Sequence, residues 1–433
     1  QNRGQSLVVA GDLRSETPWG VSLQVAINFL NTVLENDGRT IDYDQAPFQG
    51  FQGNESQLST LTDNLESGAV KTVIIHGVNP VYSLGESSPF VNALKKAEMV
   101  VYTGDRVDET GRFANYIVPD HHPLETWSDA EYLQGVYSIQ QPTIRPLYST
   151  RSFQDSLLTW VAKAEKVSGR MAQADDWYAY LRSYWKDRVY PRSRQQWGGE
   201  SFEDNWLQLL QKGVLDTNAQ KDQQRGPRSF RVSSLSEIEP VSAPSEGFEL
   251  SLYATVGLRD GSMANVSWLQ EFPDPVTKVC WDNYVTVSPA DAKAKGWSDG
   301  EVLALTVGKN KIEAPLLVQP GQAPGVLGLA VGYGRSGGGK IADGVGVNAF
   351  QVVQQQGRRR IFSSLPASVK KLKKKIPLAN VQGHHSMEGR QIVVEQTVAQ
   401  YMKDPSSNIH KHKVFSNFPK QKYDSYKWGM VTD

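Results

Sequence analysis

Several side chains of this 433-residue chain are of types that do chemistry. His121 and His122 stand beside Glu125, a set with metal-ligand character. Consecutive residues on an extended chain point to opposite faces, so the pair would not easily share one ion, and a loop or core role is expected. Glu271 and Asp274 are near enough in sequence to suggest an acid–base pair. Sequence proximity supplies neither geometry nor a raised pKa, and loop anchoring or partner contact is the commoner role. Cys280, the only cysteine, lies between Val279 and Trp281 and reads as a buried, inert thiol. A single thiol excludes a disulfide framework and any multi-thiolate iron–sulfur or zinc site within this segment. The run YGRSGGGKIADGVGVNAF sets glycines around Lys340, which suits N–H groups facing an anion, but its spacing is not that of a P-loop. Asn79 belongs to a Gly-x-Asn-Pro turn at a strand end, where turn chemistry alone is a sufficient explanation. His384, His385, His410 and His412 are read as interface or surface residues ahead of metal or haem ligands.

The elements that must position these groups follow from apolar spacing. In residues 1–165, SLVVAG reads as a strand, GVSLQVAINFLNTVLENDG as a helix, VKTVIIHGVNP as a strand, FVNALKKA as a helix and EMVVYTGD as a strand. This alternation predicts an α/β, doubly wound parallel sheet with ligand sites at the carboxyl ends of its strands. Residues 166–247 read as a helical insertion and linker, its first helix ending near Pro191, and the stripe Trp177, Leu181, Tyr184, Trp185 as core. Residues 248–355 offer five strands, with a helix in ADAKAKG closed by Gly296, and predict a small closed barrel. Pro273 and Pro275 predict an extended loop over LQEFPDPVTK. Residues 356–433 read as a basic linker and tail, with Lys370, Lys371, Lys373, Lys374 and Lys375 solvated or touching an anionic partner or lipid headgroups, and with Ile392, Val393, Val398 and Tyr401 facing inward from a helix.

Asn265, Leu269-Gln270-Glu271, Pro273-Asp274-Pro275, Trp281-Asp282-Asn283, Pro289-Ala290-Asp291-Ala292 and Gly346-Val347-Asn348-Ala349 together resemble the C-terminal barrel domain of the molybdopterin oxidoreductase family. The segment around Glu109-Thr110 and the turn at Asn79 are similar to the same family. The likeness is greatest to the degenerate, membrane-complex branch fused to a ferredoxin-like module, as in the large periplasmic-side subunit of alternative complex III. The resemblance implies a double-psi-type barrel, and 4Fe–4S and 3Fe–4S clusters in a following module. It also implies a periplasmic location at the inner membrane, with quinol-oxidising and cytochrome c-type partners. Asn79, Glu109, Thr110, Asn283 and Asn348 are the cofactor-binding positions it implies if a pterin is bound. No catalytic residue, metal ligand or cofactor is expected in this segment itself. The alternative is the C-terminal half of a working oxidoreductase of the polysulfide or formate type, carrying molybdopterin guanine dinucleotide.

Bulk properties agree with a multi-domain globular chain: 39% hydrophobic, 21% charged and formally neutral. From Gln356 onward, 15 Lys and Arg face 5 Asp and Glu, so the charge is distributed unevenly. No apolar run approaches the roughly 20 residues of a membrane span. Phosphate signatures of the GxGxxG type are missing, which makes NAD or ATP unexpected ligands, and nucleic acid is not an expected partner. The opening without Met and the closing strand-like KWGMVTD give the expectation of a piece of a longer polypeptide.

Overall fold

The computed structural model describes residues 2–11, 13–43, 55–163, 174–193, 201–217, 229–240, 247–357, 359–381, 387, 390–409, 422–426 and 428–431. The chain divides into two compact units, Gln1–Asn380 and Val381–Asp433. His384, His385, His410 and His412 lie outside the described residues.

In the first unit, α1 (Gly20–Val33) forms where the apolar spacing predicts it. The expected strand in SLVVAG does not form. Its backbone is held instead by Asn31, whose Oδ1 accepts the Val8 N–H at 3.0 Å and whose Nδ2 donates to the Val8 carbonyl at 2.8 Å. Such side-chain bonds satisfy a segment with no strand neighbour. Then come α2 (Glu55–Glu66), β1 (Thr72–Ile75), α3 (Pro80–Leu84), α4 (Pro89–Leu94), β2 (Met99–Tyr102) and β3 (Tyr116–Ile117). The three strands are parallel and ordered β1-β2-β3, without the order reversal that a doubly wound sheet would show. Leu65, Val91 and Leu94 seal one face of this sheet.

A second, antiparallel sheet joins β4 (Ser128–Leu133), β5 (Val136–Gln140) and β6 (Val214–Asp216). Between them run α5 (Phe153–Lys163) and the helices Trp177–Tyr184 and Phe202–Lys212. The helical insertion therefore shares a sheet with residues 128–140. Leu181, Trp185 and Trp206 pack on Tyr137 and Ile139, so the aromatic stripe is core. The chain does not stop at Pro191; it passes through a π turn, Trp185–Val189, and continues helically over Tyr190–Ser193. Proline is tolerated there because the π turn just before it has already altered the hydrogen-bond ladder to which Pro191 supplies no N–H.

The barrel is closed by β7 (Phe248–Ala254), β9 (Val285–Val287), β10 (Glu301–Val307), β11 (Asn310–Val318), β12 (Val326–Val331) and β15 (Leu365–Lys375), in the order β10-β11-β9-β12-β7-β15. Outside it, β8 (Val279–Cys280) pairs with β16 (Ala379–Asn380), and β13 (Gln354–Gln356) with β14 (Arg359–Ile361). Leu250, Leu252, Leu303, Leu305, Leu327 and Leu329 fill the barrel with essentially no exposure. The sixth strand corrects the sequence reading: Lys370–Lys375 belongs to β15 and pairs with β10. Only Leu365 and Ala367 at its start show buried alternation, and the lysines that follow conceal the rest.

Ser267–Glu271 forms a short helix where an extended loop is expected. Pro273 restricts chiefly the residue before it, and Phe272 (φ −70°, ψ 116°) is extended accordingly. Helix Pro289–Lys295 is as predicted, capped by the Ser288 hydroxyl and closed by Gly296 at φ 64°.

In the second unit, a six-residue helix, Val398–Lys403, carries a Thr397/Gln400 capping box. Ile392, Val393, Val398 and Tyr401 are exposed rather than inward, because this helix is too short to bury a stripe and Ile392 and Val393 precede it. The described part of 422–431 contains no strand. Among the described residues no helix is long and apolar enough to cross a membrane.

Candidate functional site

A cleft of about 350 Å³ opens at the carboxyl ends of β1 and β2, where the parallel sheet meets the barrel loops. Ligand sites of parallel sheets are expected at such ends. His76, Asn79, Asp105, Arg106, Asp108, Asp120, Asp260 and Arg335 line it. His76 stacks on Phe153 with ring centroids 3.9 Å apart, and its Nδ1 lies 2.9 Å from Thr103 Oγ1 and 3.7 Å from Asp120. Both arginines of the cleft are already engaged. Arg106 pairs with Asp105 and donates to the Gly338 carbonyl at 2.5 Å. With four carboxylates and two neutralised guanidiniums, the lining suits an N–H-rich or cationic group better than a pyrophosphate.

Behind the cleft, Arg335 joins the barrel to the sheet. Its Nε stands 3.1 Å from Glu109 Oε1, and its Nη2 stands 3.0 Å from Glu109 Oε2 and 3.7 Å from Asp108. Nη1 donates to the Gly261 carbonyl at 2.6 Å, and the guanidinium lies 4.6 Å from the centre of the Tyr82 ring. Glu109 Oε1 also accepts the Ser336 N–H at 2.6 Å. Burial pushes the Glu109 carboxyl up, but Arg335 and the Ser336 N–H outweigh burial and hold it below the usual glutamate range. The Tyr82 hydroxyl donates to the Tyr333 carbonyl at 2.6 Å, a second link across the same seam.

The expected cofactor positions sit within or beside this clasp. Asn79 caps α3. Its Nδ2 donates to Asp108 at 3.0 Å and Glu109 at 2.8 Å, and its Oδ1 accepts from Thr110 Oγ1 at 2.5 Å and the Tyr82 N–H at 3.3 Å. All four hydrogen-bonding positions of that amide are thus taken. Thr110, fully buried, also accepts the Val81 N–H. Asn283, 1% exposed, donates to the Ala330 and Val347 carbonyls and accepts the Val347 N–H at 2.9 Å. Asn348 donates to the Tyr82 carbonyl at 3.2 Å and accepts the Phe350 N–H at 2.9 Å. Of the five, only Asn79 reaches the cleft lining.

The glycine-rich loop serves the same seam. A Cβ at Gly339 would run into Asn265 Oδ1 and Arg106, one at Gly337 would lie 2.8 Å from the Val107 carbonyl oxygen, and one at Gly334 would meet the Asn348 N–H. The glycines let two backbones touch. Lys340, which sequence reasoning weighed as an anion ligand, is exposed, whereas Arg335, which it passed over, is the buried cation. An arginine within a glycine-rich run, between Gly334 and Gly337, was the available signal.

Of the remaining candidates, Glu271 is exposed at the end of its short helix, and the others have structural partners. His122 caps the turn Pro123–Glu125 in a reciprocal capping box, and His121 Nδ1 lies 2.6 Å from Thr150 Oγ1. Asp274 Oδ1 accepts from the Val276 and Thr277 N–H groups and the Thr277 hydroxyl, which anchors the loop. Cys280 Sγ donates to the Glu271 carbonyl at 3.1 Å. Among the described residues, no three His, Cys, Asp or Glu side chains converge as a metal site.

No family model matches the chain. It is 23% identical over 304 residues, 63% of its length, to the thiosulfate reductase molybdopterin-containing subunit PhsA of Salmonella typhimurium. Over 296 residues, 66% of its length, it is 23% identical to the menaquinone reductase, molybdopterin-binding-like subunit of Nitratidesulfovibrio vulgaris. Over 348 residues, 64% of its length, it is 20% identical to the arsenate respiratory reductase molybdopterin-containing subunit ArrA of a Shewanella species. The chain spans only 39%, 39% and 40% of these relatives. The acetylene hydratase of Pelobacter acetylenicus superposes with a TM-score of 0.46 at 12% identity, over 74% of this chain and 47% of that one. The distant relatives of this chain are molybdopterin-containing or molybdopterin-binding-like reductase subunits.

Proposed function

We propose that the chain is a scaffold portion of an iron–sulfur electron-transfer subunit in a respiratory quinol-oxidising membrane complex, similar in fold to molybdopterin enzymes but without its own molybdenum cofactor. In this reading the barrel is of the double-psi type. The 4Fe–4S and 3Fe–4S clusters reside in a neighbouring module, quinol-oxidising and cytochrome c-type subunits are the partners, and the assembly works on the periplasmic face of the inner membrane. The observation that supports the reading is that side chains which the resemblance assigns to a pterin dinucleotide are used within the chain. Asn79 has no hydrogen-bonding position left, Glu109 is clamped by Arg335 and Ser336, and Asn283 is enclosed by barrel backbone. The lining offers no uncommitted guanidinium to a pyrophosphate. These residues do not fit the group. That one relative is named molybdopterin-binding-like and belongs to a menaquinone reductase supports the same reading.

The second reading, part of an active molybdopterin oxidoreductase, draws on the two relatives named as molybdopterin-containing and on the cleft at the strand ends. Electron paramagnetic resonance of the native complex, reduced with a quinol analogue, separates the two. Iron–sulfur signals without a molybdenum signal are expected. A molybdenum(V) signal titrating with the quinol would support the second reading instead.

A further inference from the structure

Strand β15 closes the barrel between β10 and β7, but β7 flanks it only at its start. Its first three residues, Leu365–Ala367, pair with β7, whereas Ser368 to Lys375 pair with β10 on one side only. That half-free stretch carries Lys370, Lys371, Lys373, Lys374 and Lys375, all exposed. The register of β15 against β10 shifts between Lys371 and Lys375, which interrupts strict alternation and leaves these lysines exposed together. Lys371 donates to Glu301 and to the Gly296 carbonyl, both at 3.3 Å, which brings the end of helix Pro289–Lys295 alongside. That helix end adds the exposed Lys293 and Lys295. Seven exposed lysines thus lie on this strand and this helix end, and Glu301 pairs with one of them. The side chains of Lys370, Lys373 and Lys374 make no ion pair or hydrogen bond among the described residues, although the backbone here is paired with β10.

We propose that this lysine-rich end of β15 docks the chain on an anionic lipid surface. Five lysines over six residues span about 17 Å of extended strand, longer than the roughly 10 Å screening length at 0.1 M salt, so they present a charged line and not a point. The composition favours lipid over protein. Lysine is depleted in protein interfaces, where arginine and aromatic anchors dominate, and this stretch has neither. Hydrated ammonium groups on flexible stems suit headgroups, and each contributes to adsorption on an anionic leaflet. Edge lysines also discourage strand-to-strand aggregation, a role that requires no lipid. The proposal rests on the barrel alone and stands or falls separately from the electron-transfer reading.

The test is cosedimentation of the full chain with phosphatidylcholine vesicles, with and without about 30% phosphatidylglycerol, across a salt series. Binding is expected only to the anionic vesicles and is expected to weaken steeply with salt. The variant K370Q/K373Q/K374Q is expected to bind roughly a hundredfold more weakly, and the corresponding triple arginine variant to bind like wild type. Equal binding to both vesicle types, or undiminished binding by the glutamine variant, overturns the proposal. So does capture by polyglutamate with no affinity for the anionic vesicles. Should the glutamine variant aggregate, the salt series on the wild-type chain decides, because binding indifferent to salt contradicts a charge-driven contact.

Discussion

Replacing Arg335 with alanine probes the seam between sheet and barrel at its buried cation. The substitution removes a two-pronged pair with Glu109, the bond to the Gly261 carbonyl and the cation–π contact with Tyr82. Both charged side chains are under a tenth exposed, so water cannot replace what is lost. Removing one member of a buried pair typically costs about 3–5 kcal/mol, because the remaining charge is left uncompensated. Urea unfolding of Arg335→Ala should therefore show a loss in that range. Arg335→Met combined with Glu109→Leu should lose markedly less, since no lone carboxylate remains. The pH dependence has a defined sign. The folded pKa of Glu109 is depressed, so its contribution is fully present above the ordinary glutamate value of about 4.3 and disappears as pH falls through the folded value. The gap between wild type and Arg335→Ala should narrow below that pH. A cost under about 1 kcal/mol, or a gap independent of acid, would place the pair with ordinary surface ion pairs and refute the clasp.

Other perturbations address neighbouring parts of the account. Gly334→Ala combines a φ of +66° with a collision against the Asn348 backbone, and thermal melting should show destabilisation of at least ~2 kcal/mol. Asn283→Ala leaves two barrel carbonyls and one N–H without partners in a site 1% exposed, and chemical denaturation should show a loss of roughly 2–4 kcal/mol. Burial pushes the Cys280 thiol up, so a thiol reagent at mildly alkaline pH should react slowly with the native chain and label one thiol per chain after unfolding; fast native labelling would contradict its burial.

The parts of the fold that were legible in the sequence are those where local chemistry and tertiary packing agree. Helix Pro289–Lys295 is written in Ser288, Pro289 and Gly296, and β10 and β11 in the apolar runs 302–305 and 314–317 that form their buried stretches. Strand β15 was illegible because its pairing lies in backbone bonds to β10, while its side chains are those of a solvated surface. The SLVVAG run looked like a strand, but a strand needs a neighbour, and Asn31 takes that place from a helix. At the candidate site, Asn79, Glu109 and Thr110 were picked out by type and by resemblance. What they do depends on Arg335, 226 residues beyond Glu109, a contact no local pattern encodes.

The most direct test of the central claim is the molybdenum and pterin content of the native polypeptide that contains this chain. Metal analysis by mass spectrometry and fluorescence of the oxidised pterin would be referred to protein concentration. Neither species is expected above trace level, with Glu109 still held by Arg335 and Asn79 by Asp108, Glu109 and Thr110. Stoichiometric molybdenum with a bound pterin dinucleotide would contradict that claim.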